Sequence, residues 1–142
     1  MSEAADVRFE DIQIGQLASF DAEVTQELVD TFVRMSGDRN PLHVDETYAS
    51  GTQFGGVVVH GFAVASFFST LIGMHLPGRS ALYLSQTLLF RAPVKVGMTV
   101  RVQGEVTHKT ESSHTLTIKT TIADAATSRL LIDGVAMAQV LQ

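Results

Sequence analysis

The chain of 142 residues contains no cysteine, no tryptophan and only three prolines. Without cysteine there can be no disulfide, thiolate nucleophile or cysteine-type zinc site. A reducing cytoplasm is the expected compartment. Charge is also scarce: 18% of residues are charged, with ten Lys and Arg against fifteen Asp and Glu, a net charge of −5. The basic residues are scattered, so no face is expected to neutralise nucleic-acid phosphates. The most apolar stretch, Val57 to Met74, carries His60, Ser66, Ser69 and Thr70. It falls short of the roughly 20 residues a bilayer demands, and no membrane span is expected. The acidic start, Met1 to Phe9, lacks the apolar core of a signal peptide. Gly55-Gly56 has neither the Lys nor the Ser/Thr of a phosphate cradle, and no HExxH-type spacing is present. Neither a cofactor nor a metal is expected.

What the chain has in surplus is apolar surface: 45% of residues are hydrophobic and the mean hydropathy is +0.19. On a chain this small, the excess points to a subunit interface or a greasy pocket. A single domain, residues 1–142, accommodates the length. Its first half reads as helix and loop. Phe9 to Gly15 forms an entry turn and Leu17 to Val24 a short strand. Thr25 caps a helix reaching Ser36, with Leu28, Phe32 and Met35 on its buried face and Gly37 as terminator. A helical turn is expected over Glu46 to Ala49. The segment from Gly61 to about Met74 is apolar all round, so it predicts a helix enclosed on every side. The second half is strand. Val100, Val102, Gly104 and Val106 alternate with polar residues, as do Leu116, Ile118 and Ile122. Leu82, Leu84, Leu88 and Phe90 share one parity, and Leu130 to Leu141 is more evenly apolar. Such alternation marks an antiparallel sheet with one solvated face. The expected class is α+β, a curved antiparallel sheet wrapped around one long helix. A second copy would cover its open edge.

The richest stretch for chemistry is Ser36-Gly-Asp-Arg-Asn-Pro-Leu-His43. It places Asp38 and His43 on an irregular loop after a helix, with Asn40 and Pro41 shaping the turn. A carboxylate beside an imidazole can move protons to and from water. Each residue also has a plainer reading, Asp38 as an Asx-turn residue and His43 as a structural histidine; the combined motif favours chemistry. Gly61, at a helix start, leaves its backbone N–H without a helical partner, a place that favours an anion. His60 beside it reads as a structural or supporting residue. Ser69 is either a packing residue bonded one turn back or a site residue. His75, His108 and His114 read as surface residues, as do Arg79 and Arg91, although either arginine could reach a phosphate. Phe67, Phe68, Leu71 and Leu84 are the candidate pocket walls.

Ser36-Gly-Asp-x-Asn-Pro-Leu-His43, with Ala49, Phe54-Gly55, Val59-His-Gly61, Ala65-Ser66, Ser69, Leu76-Pro-Gly, Tyr83-Leu and Phe90-x-x-Pro-Val-x-x-Gly97, resembles the MaoC-like, (R)-specific enoyl-CoA hydratases. The likeness runs over nearly the whole chain, and it is closest to short single-domain members linked to polyhydroxyalkanoate synthesis. The resemblance implies a hot-dog fold, a homodimer, and syn addition of water to a trans-2-enoyl-CoA thioester, giving an (R)-3-hydroxyacyl-CoA. It assigns Asp38 and His43 to the water, the Gly61 N–H to the thioester oxygen, and a supporting place to Ser69. Two other functions share the pattern. One is a (3R)-hydroxyacyl-acyl-carrier-protein dehydratase, which a basic patch at the pocket mouth would favour. The other is a non-catalytic acyl-CoA-binding module, which loss of Asp38 or His43 would have favoured.

Overall fold

The computed structural model describes residues 2–142. The chain opens with a turn of 3-10 helix, Phe9–Asp11, whose Phe9 is buried. Strand β1 (Leu17–Glu23) follows, then helix α1 (Gln26–Ser36), short helices α2 (Pro41–Val44) and α3 (Glu46–Ser50), and the central helical segment. That segment comprises α4 (Gly61–Ala65), α5 (Phe67–Thr70) and a π-helical turn, Leu71–His75. Strands β2 (Ala81–Gln86), β3 (Leu89–Phe90), β4 (Thr99–Thr110), β5 (Thr115–Asp124) and β6 (Leu130–Val140) complete the chain. They form one antiparallel sheet in the order β1-β4-β5-β6-β2, with β3 also paired to β6. The alternation seen in the sequence is realised: Val100, Val102, Gly104 and Val106 all point into the core from β4.

The central segment lies on this sheet. Ala63, Val64, Phe68, Leu71 and Ile72 are buried against it. Gly104 lets the two approach closely, since a Cβ there would lie 3.0 Å from both Leu71 and Ile118. Two expectations for this segment need correction. It is not one continuous α-helix. Ser66 interrupts it, with its backbone N–H shared between the Phe62 and Ala63 carbonyls and its hydroxyl donating to Ala63 O at 2.6 Å. A hydroxyl turned back on the ladder in this way bends a helix. Nor is the segment enclosed on every side within the single chain, where Phe62 (66% exposed), Ser66, Ser69 and Thr70 form an outer face that the sheet does not cover. The sheet is a single curved layer that covers only the inner face.

Helix α1 behaves largely as expected. Thr25 Oγ1 accepts from Leu28 N at 3.1 Å, and Gly37 closes the helix with φ at 77°. Met35, however, is 75% exposed. The inward stripe is centred on Val29 and Val33, and Met35 lies two residues beyond, about 200° around the helix at ~100° per residue. The apolar parity from Leu82 to Phe90 is also broken. β2 ends at Gln86 after a register shift, and Leu82 and Leu84 point outward, 44% and 51% exposed.

Candidate active site

The turn after α1 is built by its own side chains. Ser36 Oγ donates to Phe32 O at 2.7 Å and accepts from Asp38 N at 3.1 Å. Asp38 Oδ1 accepts from Asn40 N at 3.0 Å. Asn40 Oδ1 in turn caps α2 through Leu42 N at 3.0 Å, with Pro41 at the first helical position. Proline is favoured there because that N–H has no helical partner to lose. One turn of helix then carries His43 back towards Asp38. The irregular loop expected through Pro41 is therefore shorter than the spacing suggested, and Pro41 opens a helix.

His43, half-buried, is fixed through its ring: Nδ1 donates to Val58 O at 2.6 Å. A carbonyl only accepts, so Nδ1 carries the hydrogen and Nε2 is the nitrogen left for a substrate or water. His60, only 2% exposed, donates from Nε2 to Asp38 O at 3.0 Å. Its ring stacks on that of His43, with centroids 4.0 Å apart and planes 28° apart. The Phe32 ring also packs on the His60 ring, tilted by 57° with centroids 4.8 Å apart. His60 Nδ1 is buried and has no hydrogen-bond partner among the described residues. His60 thus supports both candidate catalytic residues, through the Asp38 backbone and through the His43 ring.

Asp38, His43 and His60 offer polar side-chain atoms that lie within 4.8 Å of one another. One carboxylate and two imidazoles are metal-ligand types, but their geometry does not suit a shared ion. Near-parallel stacked rings send their in-plane lone pairs past one another, whereas a tetrahedral site needs them to converge.

Gly61 is the first residue of α4, so its N–H has no partner within the helix. It shares a groove of about 410 Å³ with His43, Phe54, Phe62, Phe90, Val94 and Ile132. A Cβ on Gly61 would press on the Phe90 ring, 2.6 Å from Cε1 and 2.7 Å from Cδ1, so a side chain there would require the ring to move. On the other side of His43 a second cavity of about 560 Å³ is more polar, with Gln26, Asp30, Glu46 and Lys95 in its wall. Lys95 Nζ donates to Phe54 O and Gly56 O, at 3.0 and 3.1 Å, and ties the two loops together.

Four expected pocket walls are corrected. Phe68 and Leu71 are core residues, Phe67 packs at the core's margin, and Leu84 lies outward; none lines the groove. The helix packs too closely on the sheet to leave a channel along it, so the groove opens at the N-terminal end of the helix. Ser69 is exposed on the outer face, eight residues along from Gly61, and the bond to a carbonyl one turn back is made by Ser66 instead. Arg91 lines the groove, but its Nε and Nη2 are engaged by Asp133 at 2.8 and 3.4 Å. Arg79 pairs with Asp6 at the surface. His75 and His108 are exposed, while His114 is half-buried and stacks on Phe9 at 4.5 Å. The sequence carried no signal for Val58 O, because every residue offers a carbonyl. Phe90 was visible only as part of a strand parity and a motif.

Away from the site, Tyr83 donates to Gln86 Oε1, and Gln86 Nε2 reaches Thr120 Oγ1 at 2.9 Å. Burial pushes the Tyr83 phenol up to about 12.

The chain is similar to known proteins over most of its length. A family model described as "MaoC like domain" matches residues 10–128. An (R)-specific enoyl-CoA hydratase of Rhodospirillum rubrum is 38% identical over 132 residues, covering 93% of this chain and 90% of its own. A 3-hydroxybutyryl-CoA dehydratase of Methylorubrum extorquens is 43% identical over 98 residues, 69% of this chain and 62% of that protein's length. The solved (R)-hydratase of Aeromonas caviae, described as involved in PHA biosynthesis, superposes with a TM-score of 0.87 at 36% identity. That match covers 92% of this chain and 98% of the other. With its open curved sheet, its central helix and a match over most of its length, this chain belongs to the MaoC-like domain family.

Proposed function

We propose that this chain is an (R)-specific enoyl-CoA hydratase that adds water reversibly to a trans-2-enoyl-CoA, giving an (R)-3-hydroxyacyl-CoA. The observation that carries the reading is one groove lined by His43 and by Gly61, whose N–H has no partner within its helix, with Asp38 beside His43. Hydration needs both features. Attack of the water oxygen on C3 pushes negative charge onto the thioester oxygen, where a preset N–H stabilises it. The attacking water gives up one proton and C2 gains one, and the Asp38–His43 pair handles both transfers from one face. Addition is therefore syn. His43 Nε2 is oriented for this by the Val58 carbonyl. The Asn40 N–H holds the Asp38 carboxylate; a supporting place for Ser69 rests on the family motif alone, since its side chain faces outward in the single chain. The thioester itself polarises the alkene, so this reaction invokes neither a metal nor a cofactor.

The active form is a homodimer in a reducing cytoplasm. The outer face of the central helix and the exposed Leu82, Leu84, Val135 and Met137 of β2 and β6 support a second copy. Supply of (R)-3-hydroxyacyl thioesters to polyester synthesis is the proposed role, supported by the named role of the A. caviae relative.

The test is loss of the ultraviolet absorbance of the conjugated enoyl thioester, with crotonyl-CoA, octenoyl-CoA and the corresponding carrier-protein thioesters. Asp38→Asn and His43→Gln should each slow hydration by ~100-fold or more, the scale of a lost acid–base group. Turnover of the carrier-protein thioesters alone would reassign the chain as a carrier-protein dehydratase. Binding without turnover would make it an acyl-CoA-binding module.

A further inference from the structure

Two phenylalanines at the groove are unusually open. Phe62 is 66% exposed and Phe90 50%, with their ring centroids 5.7 Å apart. Both line the groove that holds His43 and Gly61. Phe90 does more than border it: three of its ring atoms would lie within 3.3 Å of a Cβ on Gly61, so the ring rests directly on the glycine. The backbone beneath the ring is pinned. Phe90 pairs with Ile132 across β3 and β6, and Arg91 N donates to Leu131 O at 2.7 Å. The Arg91–Asp133 ion pair secures the next residue along. The half-exposed ring therefore presents an apolar surface, carried on a pinned backbone, at the residue that offers the N–H.

We propose that Phe90 is a substrate-contacting residue whose ring packs against the thioester group of a bound acyl-CoA. The proposal rests on the hydratase reading of the same groove. A group that accepts the Gly61 N–H sits beside whatever touches Gly61. An apolar ring there excludes water, and a hydrogen bond to a developing oxyanion is stronger in a drier site. The contact has a specific consequence. The thioester is the part common to all substrates, while the acyl tail varies. Phe90 therefore affects short and long substrates by the same factor, unlike a residue in a tail-binding wall.

The experiment compares wild type, Phe90→Ala and Phe90→Leu with crotonyl-CoA and octenoyl-CoA, recording kcat, KM, melting temperature and sedimentation. Phe90→Ala is expected to lower kcat by about tenfold to a hundredfold, the range that follows a small misplacement of reacting groups. The factor should be the same for both substrates, and Phe90→Leu should recover most of it. Unchanged kinetics would overturn the inference. So would a loss that grows with acyl length, which marks a tail wall, or a loss that accompanies a changed sedimentation coefficient, which marks a subunit contact. Absence of turnover by the wild type would count against the hydratase reading alone. Calorimetry with the unreactive butyryl-CoA then decides the contact: weaker binding by Phe90→Ala supports it and equal binding overturns it.

Discussion

Gly61→Ala separates a defect in chemistry from a defect in folding. A Cβ at this position would meet Phe90 at 2.6, 2.7 and 3.3 Å. Ordinary carbon–carbon contact begins near ~3.5 Å, so the ring must retreat by roughly 1 Å. Phe90 is half exposed and can do so at little cost. Alanine also replaces a flexible glycine in a helix, which contributes up to ~1 kcal/mol in the opposite direction. The two effects nearly cancel, and the melting temperature should stay within a few degrees of wild type. The groove changes far more, because a shift of about 1 Å at the site can cost ~100-fold in rate. Gly104→Ala makes a good control. Its Cβ would press on Leu71 and Ile118 at 3.0 Å in the core, where overpacking costs ~1–3 kcal/mol. It should lower stability while sparing kcat. The decisive assay is a double-mutant cycle of Gly61→Ala with Phe90→Ala. With the ring removed, alanine at position 61 should cost nothing beyond Phe90→Ala itself. Full additivity in the cycle, or wild-type kcat in Gly61→Ala, would refute the claim that the ring against this glycine shapes the site.

Two further predictions follow from side chains around the fold. Tyr83 holds its phenol proton to about pH 12 in the folded chain, whereas an unfolded tyrosine releases it near ~10. Stability present below about pH 10 is therefore lost as pH rises towards 12. The melting temperature of the wild type should fall across that window more steeply than that of Tyr83→Phe; parallel curves would contradict the burial argument. His60→Phe keeps a ring stacked on His43 but removes the donor to Asp38 O. It also removes a buried nitrogen without a partner, a type of group that costs ~1–3 kcal/mol. Calorimetry should find the variant no less stable, while hydration slows about tenfold or more because Asp38 is less firmly held. A marked loss of stability with unchanged kcat would give His60 a purely packing role.

The parts of this protein legible in the sequence are those governed by local rules. The Thr25 cap and the αL Gly37 bounded α1, because capping depends on adjacent residues alone. The long strands followed from period-two alternation, which a sheet buried on one face imposes. Asp38 and His43 were legible as a pair because their spacing spans one turn closed by Asn40 and Pro41, and the fold brings them together.

What only the tertiary structure decided depends on contacts between distant segments. The central helix looked apolar enough to be enclosed, yet a single curved sheet covers only its inner face and leaves Phe62, Ser66 and Ser69 open. Phe68 and Leu71 looked like pocket walls, but both are buried in the core, Leu71 directly against Gly104. The Val58 carbonyl that orients His43 lies fifteen residues away, and the Phe90 ring over Gly61 comes from strand β3. Composition and periodicity report which face of an element is apolar; which element then meets that face is set by how the sheet curves around the helix.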